Sequence, residues 1–93
     1  MNEYFYNPKA PTLVETYDAI VSVSTAVTFA AGTTYIEVSA IDKGIFMKWG
    51  ATAASSDFDE FIPANTTKRF PILAASAQFI QEAATAKLVV IEK

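Results

Sequence analysis

The side chains able to do chemistry gather between Trp49 and Phe70. Asp57, Asp59 and Glu60 form an acidic cluster, and carboxylates at i, i+2 and i+3 could give oxygens to a hard cation such as calcium. The cluster lacks the fixed glycine and later glutamate of a recognised calcium loop. Solvation of a loop-to-strand junction is therefore the reading adopted, and no metal ligand is assigned. Ser55-Ser56-Asp57 offers hydroxyls beside a carboxylate, but the chain has no histidine to serve as base, and nothing in the spacing sets Lys43, Lys48 or Lys87 beside the serines. It also has no cysteine, which removes thiolate nucleophiles, thiolate metal sites and disulfides. Trp49, Tyr35, Tyr4 and Tyr6 could make an aromatic platform for a sugar, although Trp49 shares strand parity with Ile45 and Met47 and so belongs with a core. Lys68-Arg69 is too small a basic spot to track phosphates and suits an exposed strand edge. No catalytic residue and no cofactor follow from these patterns, and the expectation is a protein that is not an enzyme.

The elements that must position these residues read as strands. Ile20, Val21, Ser22, Val23 and Ser24, then Ala26, Val27, Thr28 and Phe29, are β-branched or small, which predicts strands over 19–24 and 26–30. Residues 34–41 alternate, with Ile36, Val38 and Ala40 on one face and Tyr35, Glu37 and Ser39 on the other. Asp42-Lys43-Gly44 predicts a hairpin turn with Gly44 left-handed. The strand 45–49 then sends Ile45, Met47 and Trp49 inward and Phe46 and Lys48 outward. Residues 50–56 are all glycine, alanine, threonine or serine, and predict a mobile surface loop. Strands follow over 57–62 and 68–73, with Phe70 and Ile72 inward and Pro63 and Pro71 marking edges. The last two strands are read over 76–82 and 88–91. The latter is apolar on both faces, implying burial on both sides or a subunit contact.

Seven to eight short strands with turns every 8–12 residues predict an all-β class, a small antiparallel β-sandwich or β-barrel. Ninety-three residues make one domain, read as an extended N-terminal arm over 1–12 and a single β domain over 13–93. Tyr4, Phe5 and Tyr6 followed by Pro8 and Pro11 give the arm its extended character. Hydrophobic residues make up 52% of the chain, but 16 of them are alanines, which bury little area each; a core of this size favours oligomerisation. The net charge of −3, with seven scattered basic residues, argues against a nucleic-acid partner. No apolar run reaches the roughly 18 residues of a membrane span, and the N-terminus lacks a secretory leader pattern, so a soluble protein made in the cytosol is expected.

Trp49-Gly50, the small-residue loop, Asp57, Phe61-Ile62-Pro63-Ala64-Asn65, Phe70 and the closing Ala86-Lys87-Leu88-Val89-Val90-Ile91-Glu92 together resemble small structural proteins of tailed bacteriophages. The likeness spans residues 34–93. It implies a virion protein assembled in the host cytoplasm, a head decoration or cement protein. It further implies a β body that forms homo-oligomers, often trimers, and binds the major capsid protein or other virion proteins. A tail, baseplate or fibre-associated module and a small carbohydrate-binding β module are the alternatives. The contact elements expected are the arm residues Tyr4, Phe5 and Tyr6, the outward Phe46, and the loop residues Ala53, Ser55, Ser56 and Asp57.

Overall fold

The structure, a computed structural model, describes residues 12–17, for which the strand backbone alone is considered, and residues 24–93. The Tyr4-Phe5-Tyr6 arm and nearly all of the strand expected over 19–24 lie outside the described residues. Among the described residues there are eight strands: β1 (Thr12–Tyr17), β2 (Thr25–Thr28), β3 (Tyr35–Ile41), β4 (Ile45–Trp49), β5 (Glu60–Ile62), β6 (Thr66–Pro71), β7 (Ser76–Gln81) and β8 (Lys87–Glu92). They form two four-stranded antiparallel sheets of order β1-β8-β3-β6 and β2-β7-β4-β5. This is the all-β sandwich expected, and its strand order is that of a jelly roll, two Greek keys wrapped into facing sheets.

The core follows from period-two alternation. Ile36, Val38 and Ala40 of β3, with Leu88 and Val90 of β8, face Ile45 and Met47 of β4, Ala77 and Phe79 of β7 and Ile62 of β5. Each is at most 1% exposed. Trp49 is half-buried at the edge of this core, its ring edge-on to Phe29 at 6.0 Å and to Phe70 at 6.3 Å. Tyr35 lies on the outer face of the other sheet, beneath the Arg69 guanidinium. The two rings therefore share no platform.

Several sequence expectations are corrected. The strand preceding β2 in the described residues is β1 at Thr12–Tyr17, so residue 12 belongs to the β domain. This strand is held by antiparallel pairing with the inner strand β8. The turn at 42–44 is not a hairpin: β3 and β4 lie in different sheets, and the turn is an arch between them. Asp42, not Gly44, takes the left-handed conformation, with φ 75°. The strand expected over 57–62 is only three residues long, β5, and Phe58 leaves it to pack elsewhere. Of the pair expected inward on 68–73, Phe70 is buried within β6, whereas Ile72 lies beyond the strand and packs against the core from the next arch.

The proline reading holds. β5, which Pro63 follows, and β6, which ends in Pro71, are both edge strands. β8 sits between β1 and β3, with Leu88 and Val90 fully buried and Val89 and Ile91 half-buried on the outer face.

Candidate interaction surface

Sheet alternation puts a row of apolar side chains on the outside of the β2-β7-β4-β5 sheet. Phe46 of β4 is paired in register with Phe61 of β5 on one side and Ile80 of β7 on the other. All three are half-buried although none faces the core between the sheets. Phe46 stacks at a tilt against Phe61, with ring centroids 5.1 Å apart, and against Phe58 at 4.7 Å. Aromatic pairs of this kind contribute about 0.5–1.5 kcal/mol beyond their burial. Phe58 remains 40% exposed and completes an apolar ridge at the surface.

Residues 50–59 reach this ridge by folding back over the sheet. The loop expected there is anchored to the sheet at several points. Ala53 is 1% exposed yet stands outside the core cluster; its amide donates to Ser24 Oγ at 3.0 Å, and that hydroxyl donates to Gln78 Oε1 at 2.6 Å. Gln78 points outward, being between the inward Ala77 and Phe79. Ala54 and Asp57 exchange two backbone hydrogen bonds of 3.0 Å, closing a tight turn. The outward Lys48 ammonium donates to Asp57 at 3.0 Å and lies 3.8 Å from Asp59. Asp59 also accepts the Trp49 amide at 2.9 Å, and its own amide bonds the Met47 carbonyl. Backbone groups and the two aspartates anchor this segment of small residues.

The electrostatics follow from these contacts. The hydrogen bond to Asp57, aided by the charges of Asp57 and Asp59, raises the Lys48 pKa against partial desolvation. Asp57 and Asp59 are thus committed to Lys48 and to the Trp49 amide, and no group of three or more acidic ligands converges among the described residues. Of the contact residues expected from sequence, Phe46 sits at the centre of the outer row, and Ser55, Ser56 and Asp57 are exposed at the tip of the covering segment. Ala53 lies beneath that segment with its side chain buried. Tyr4, Phe5 and Tyr6 lie outside the described residues.

Sequence reasoning missed Phe58, Phe61 and Ile80 as partners of Phe46. The spacing of Phe58 and Phe61 was visible, but strand register sets Phe61 beside Phe46, and the turn at 54–57 returns Phe58 onto it. Glu92 was missed as well. It is 1% exposed at the end of the β8 inward row, where its carboxylate accepts the Ala30 amide at 3.0 Å and the Thr33 hydroxyl. Parity with Leu88 and Val90 was the available signal. On the opposite sheet a shallow depression of about 290 Å³ is lined by Tyr35, Arg69, Phe70 and Pro71.

No protein-family model matches this chain, and neither a curated protein nor a solved structure is found to be similar to it.

Proposed function

We propose that this chain is a non-enzymatic structural protein of a tailed-bacteriophage virion, a head decoration or cement protein that forms homotrimers and stabilises the shell by binding across major capsid protein subunits. The observation that carries this reading is the Phe46-centred aromatic row on the outside of a sheet, a position normally given to polar residues in a one-sided antiparallel sheet. Exposed apolar ridges bounded by charged groups mark contact surfaces, and Lys48, Asp57 and Asp59 border this one. The jelly roll is compatible, since viral capsid domains use it, but lectin domains use it too, so the fold alone decides nothing. The net charge of −3 agrees with protein partners rather than nucleic acid.

The test is direct. Light scattering of purified protein is expected to give a trimer, and the protein is expected to co-sediment saturably with capsids that lack it, burying about 1,200–2,000 Å² per stable contact. Phe46→Ser should keep the fold and weaken capsid binding at least tenfold, as removal of a central aromatic does. Gold labelling on virions would separate head from tail. A monomer at high concentration that fails to co-sediment sinks the reading.

A further inference from the structure

The open edge of β6 carries backbone groups that no strand among the described residues uses. The Lys93 amide donates to the Tyr35 carbonyl at 3.0 Å and the Tyr35 amide to the Lys93 carbonyl at 3.4 Å, so Tyr35 turns its backbone toward β8. By the alternation of an antiparallel ladder, Ile36 and Val38 turn theirs toward β6 and bond their partners Phe70 and Lys68. Thr67 and Arg69 therefore direct their N–H and C=O groups away from the sheet, where β6 is the last strand. Pro71 has no N–H, so the ladder can grow by two amides and then stops. The side chains beside these groups are cationic on both faces. Arg69 lies on the outer face, 67% exposed, with its guanidinium over the Tyr35 ring at 5.5 Å and its Nε donating to Glu37 at 2.8 Å. Its terminal nitrogens have no partner among the described residues, and such a fork fits a carboxylate through two parallel hydrogen bonds. Lys68 lies on the inner face, bonded to the neutral Phe61 carbonyl and, among the described residues, to no carboxylate. The depression lined by Tyr35, Arg69, Phe70 and Pro71 adjoins the same edge.

We propose that the open edge of β6 docks a short, extended, acidic segment of a partner protein, which adds as a fifth strand beside Thr67 and Arg69. Charge complementarity selects this occupant. Charges on an edge turn away apolar strands, and Lys68 and Arg69 turn away basic ones too, whereas adjacent carboxylates on an incoming strand point to opposite faces and meet both cations. One carboxylate takes the Arg69 fork on the outer face, and the next takes Lys68 on the inner face. The segment's backbone bonds the free groups of Thr67 and Arg69, and an apolar side chain one step further along seats in the depression. Main-chain bonds give affinity in this mode of recognition, and the alternate side chains give selectivity. In a chain of net charge −3 the edge is a local reversal of sign, since Lys68, Arg69 and Lys93 share a single bonded carboxylate, Glu37. The inference does not rest on the Phe46 row, which lies on the other sheet.

The probe is an acetylated and amidated seven-residue peptide, two adjacent glutamates set among valines and threonines, titrated into the full-length protein and followed by amide hydrogen exchange. In the free protein the Lys68 and Phe70 amides are expected to be protected by β3 and the Thr67 and Arg69 amides to exchange freely. Saturating peptide should slow exchange at Thr67 and Arg69 at least tenfold. Arg69→Gln, at an exposed position, should keep the amide spectrum of the fold and raise the peptide dissociation constant at least tenfold, as loss of a charged hydrogen-bonding partner does. The same peptide with lysine in place of both glutamates should not bind. Absence of binding at millimolar peptide overturns the proposal, as do equal affinities for the lysine peptide or for Arg69→Gln, and protection that appears away from Thr67 and Arg69. Protection of those two amides before any peptide is added overturns it as well, because the edge would then already be occupied by another copy or by another part of the chain.

Discussion

A Cβ placed on Gly44 would stand 2.5 Å from Phe61 Cζ and 2.7 Å from the Glu82 carboxylate. Its requirement is space, since its φ is unexceptional, and the arch it sits in brings an edge-strand phenyl ring over the backbone. Gly44→Ala is expected to lower stability by about 1–3 kcal/mol, the cost of overpacking, read as a lower urea midpoint at constant slope; a midpoint equal to wild type would refute the steric account. The left-handed residues of this end are Asp42, Asn65 and Thr85, with φ 75°, 57° and 74°. They come from three separate arches and meet at Asp42, whose amide bonds Asn65 Oδ1 and whose carboxylate accepts the Thr85 hydroxyl. That hydroxyl, with Lys43, holds the Asp42 carboxyl below its usual pKa.

Glu92 does comparable work at the other end. Glu92→Ala would leave the Ala30 amide and Thr33 hydroxyl without their acceptor, at about 1–3 kcal/mol. Glu92→Gln, which keeps an acceptor oxygen, should lose less in the same unfolding assay. On the outer face Glu37 is held below the usual carboxylate value of 4.5, first by the hydrogen bond from Arg69, then against desolvation by Lys93. A carboxylate with a depressed folded pKa stabilises above its unfolded value and loses that contribution as pH falls through its folded value. Thermal unfolding measured from pH 6 downward should therefore steepen below about pH 4.5, and Glu37→Gln should give a shallower acid limb from a slightly lower plateau. An identical acid limb in the variant would rule Glu37 out as a contributor.

At the scale of elements, the edges explain themselves. β5 is three residues long, and β6 ends in Pro71, which offers no amide for ladder extension. Lys68 faces the sandwich interior by parity with Phe70, and its ammonium bonds the Phe61 carbonyl at 3.0 Å. It thus ties edge strand β6 to edge strand β5 and sets a charge where another strand would dock. Lys68→Ala should cost about 1 kcal/mol and raise turbidity at high protein concentration. Unchanged turbidity would leave Lys68 a structural tie only. The edges were legible in the sequence because proline carries its restriction with it. The 42–44 arch was not, because Asp-Lys-Gly suits either a hairpin or an arch, and the choice depends on whether the flanking strands pair with each other.

At the scale of the molecule, the connections at 42–44, 63–65, 72–75 and 82–86 each cross from one sheet to the other. Neither sheet can be completed without most of the chain, and pairings such as Ile36 with Glu92 are distant in sequence. Folding is expected in milliseconds to seconds, slow for the chain's length. Trp49, the sole tryptophan, lies between Phe29 of one end and Phe70 of the opposite sheet. Its fluorescence and the far-ultraviolet signal should therefore report one coincident transition. Two separated midpoints would mean that the sheets come apart independently.

The sequence by itself determined the class, the inward residues and the outward Phe46, because period-two alternation states which side chains share a face without stating what that face meets. Ile36, Val38, Ala40, Ile45 and Met47 were readable in that way and are buried, whereas the last strand, apolar on both faces, left open which face turns inward until its pairing with β3 put Leu88 and Val90 in the core. Tertiary structure alone decided which strands are neighbours. Register brought Phe61 and Ile80 beside Phe46, carried residues 50–59 onto Lys48 and Ser24, and buried Glu92 against Thr33. Each of these pairings joins partners whose own local sequence is satisfied by other conformations, so only the closure of the two sheets around one core selects them.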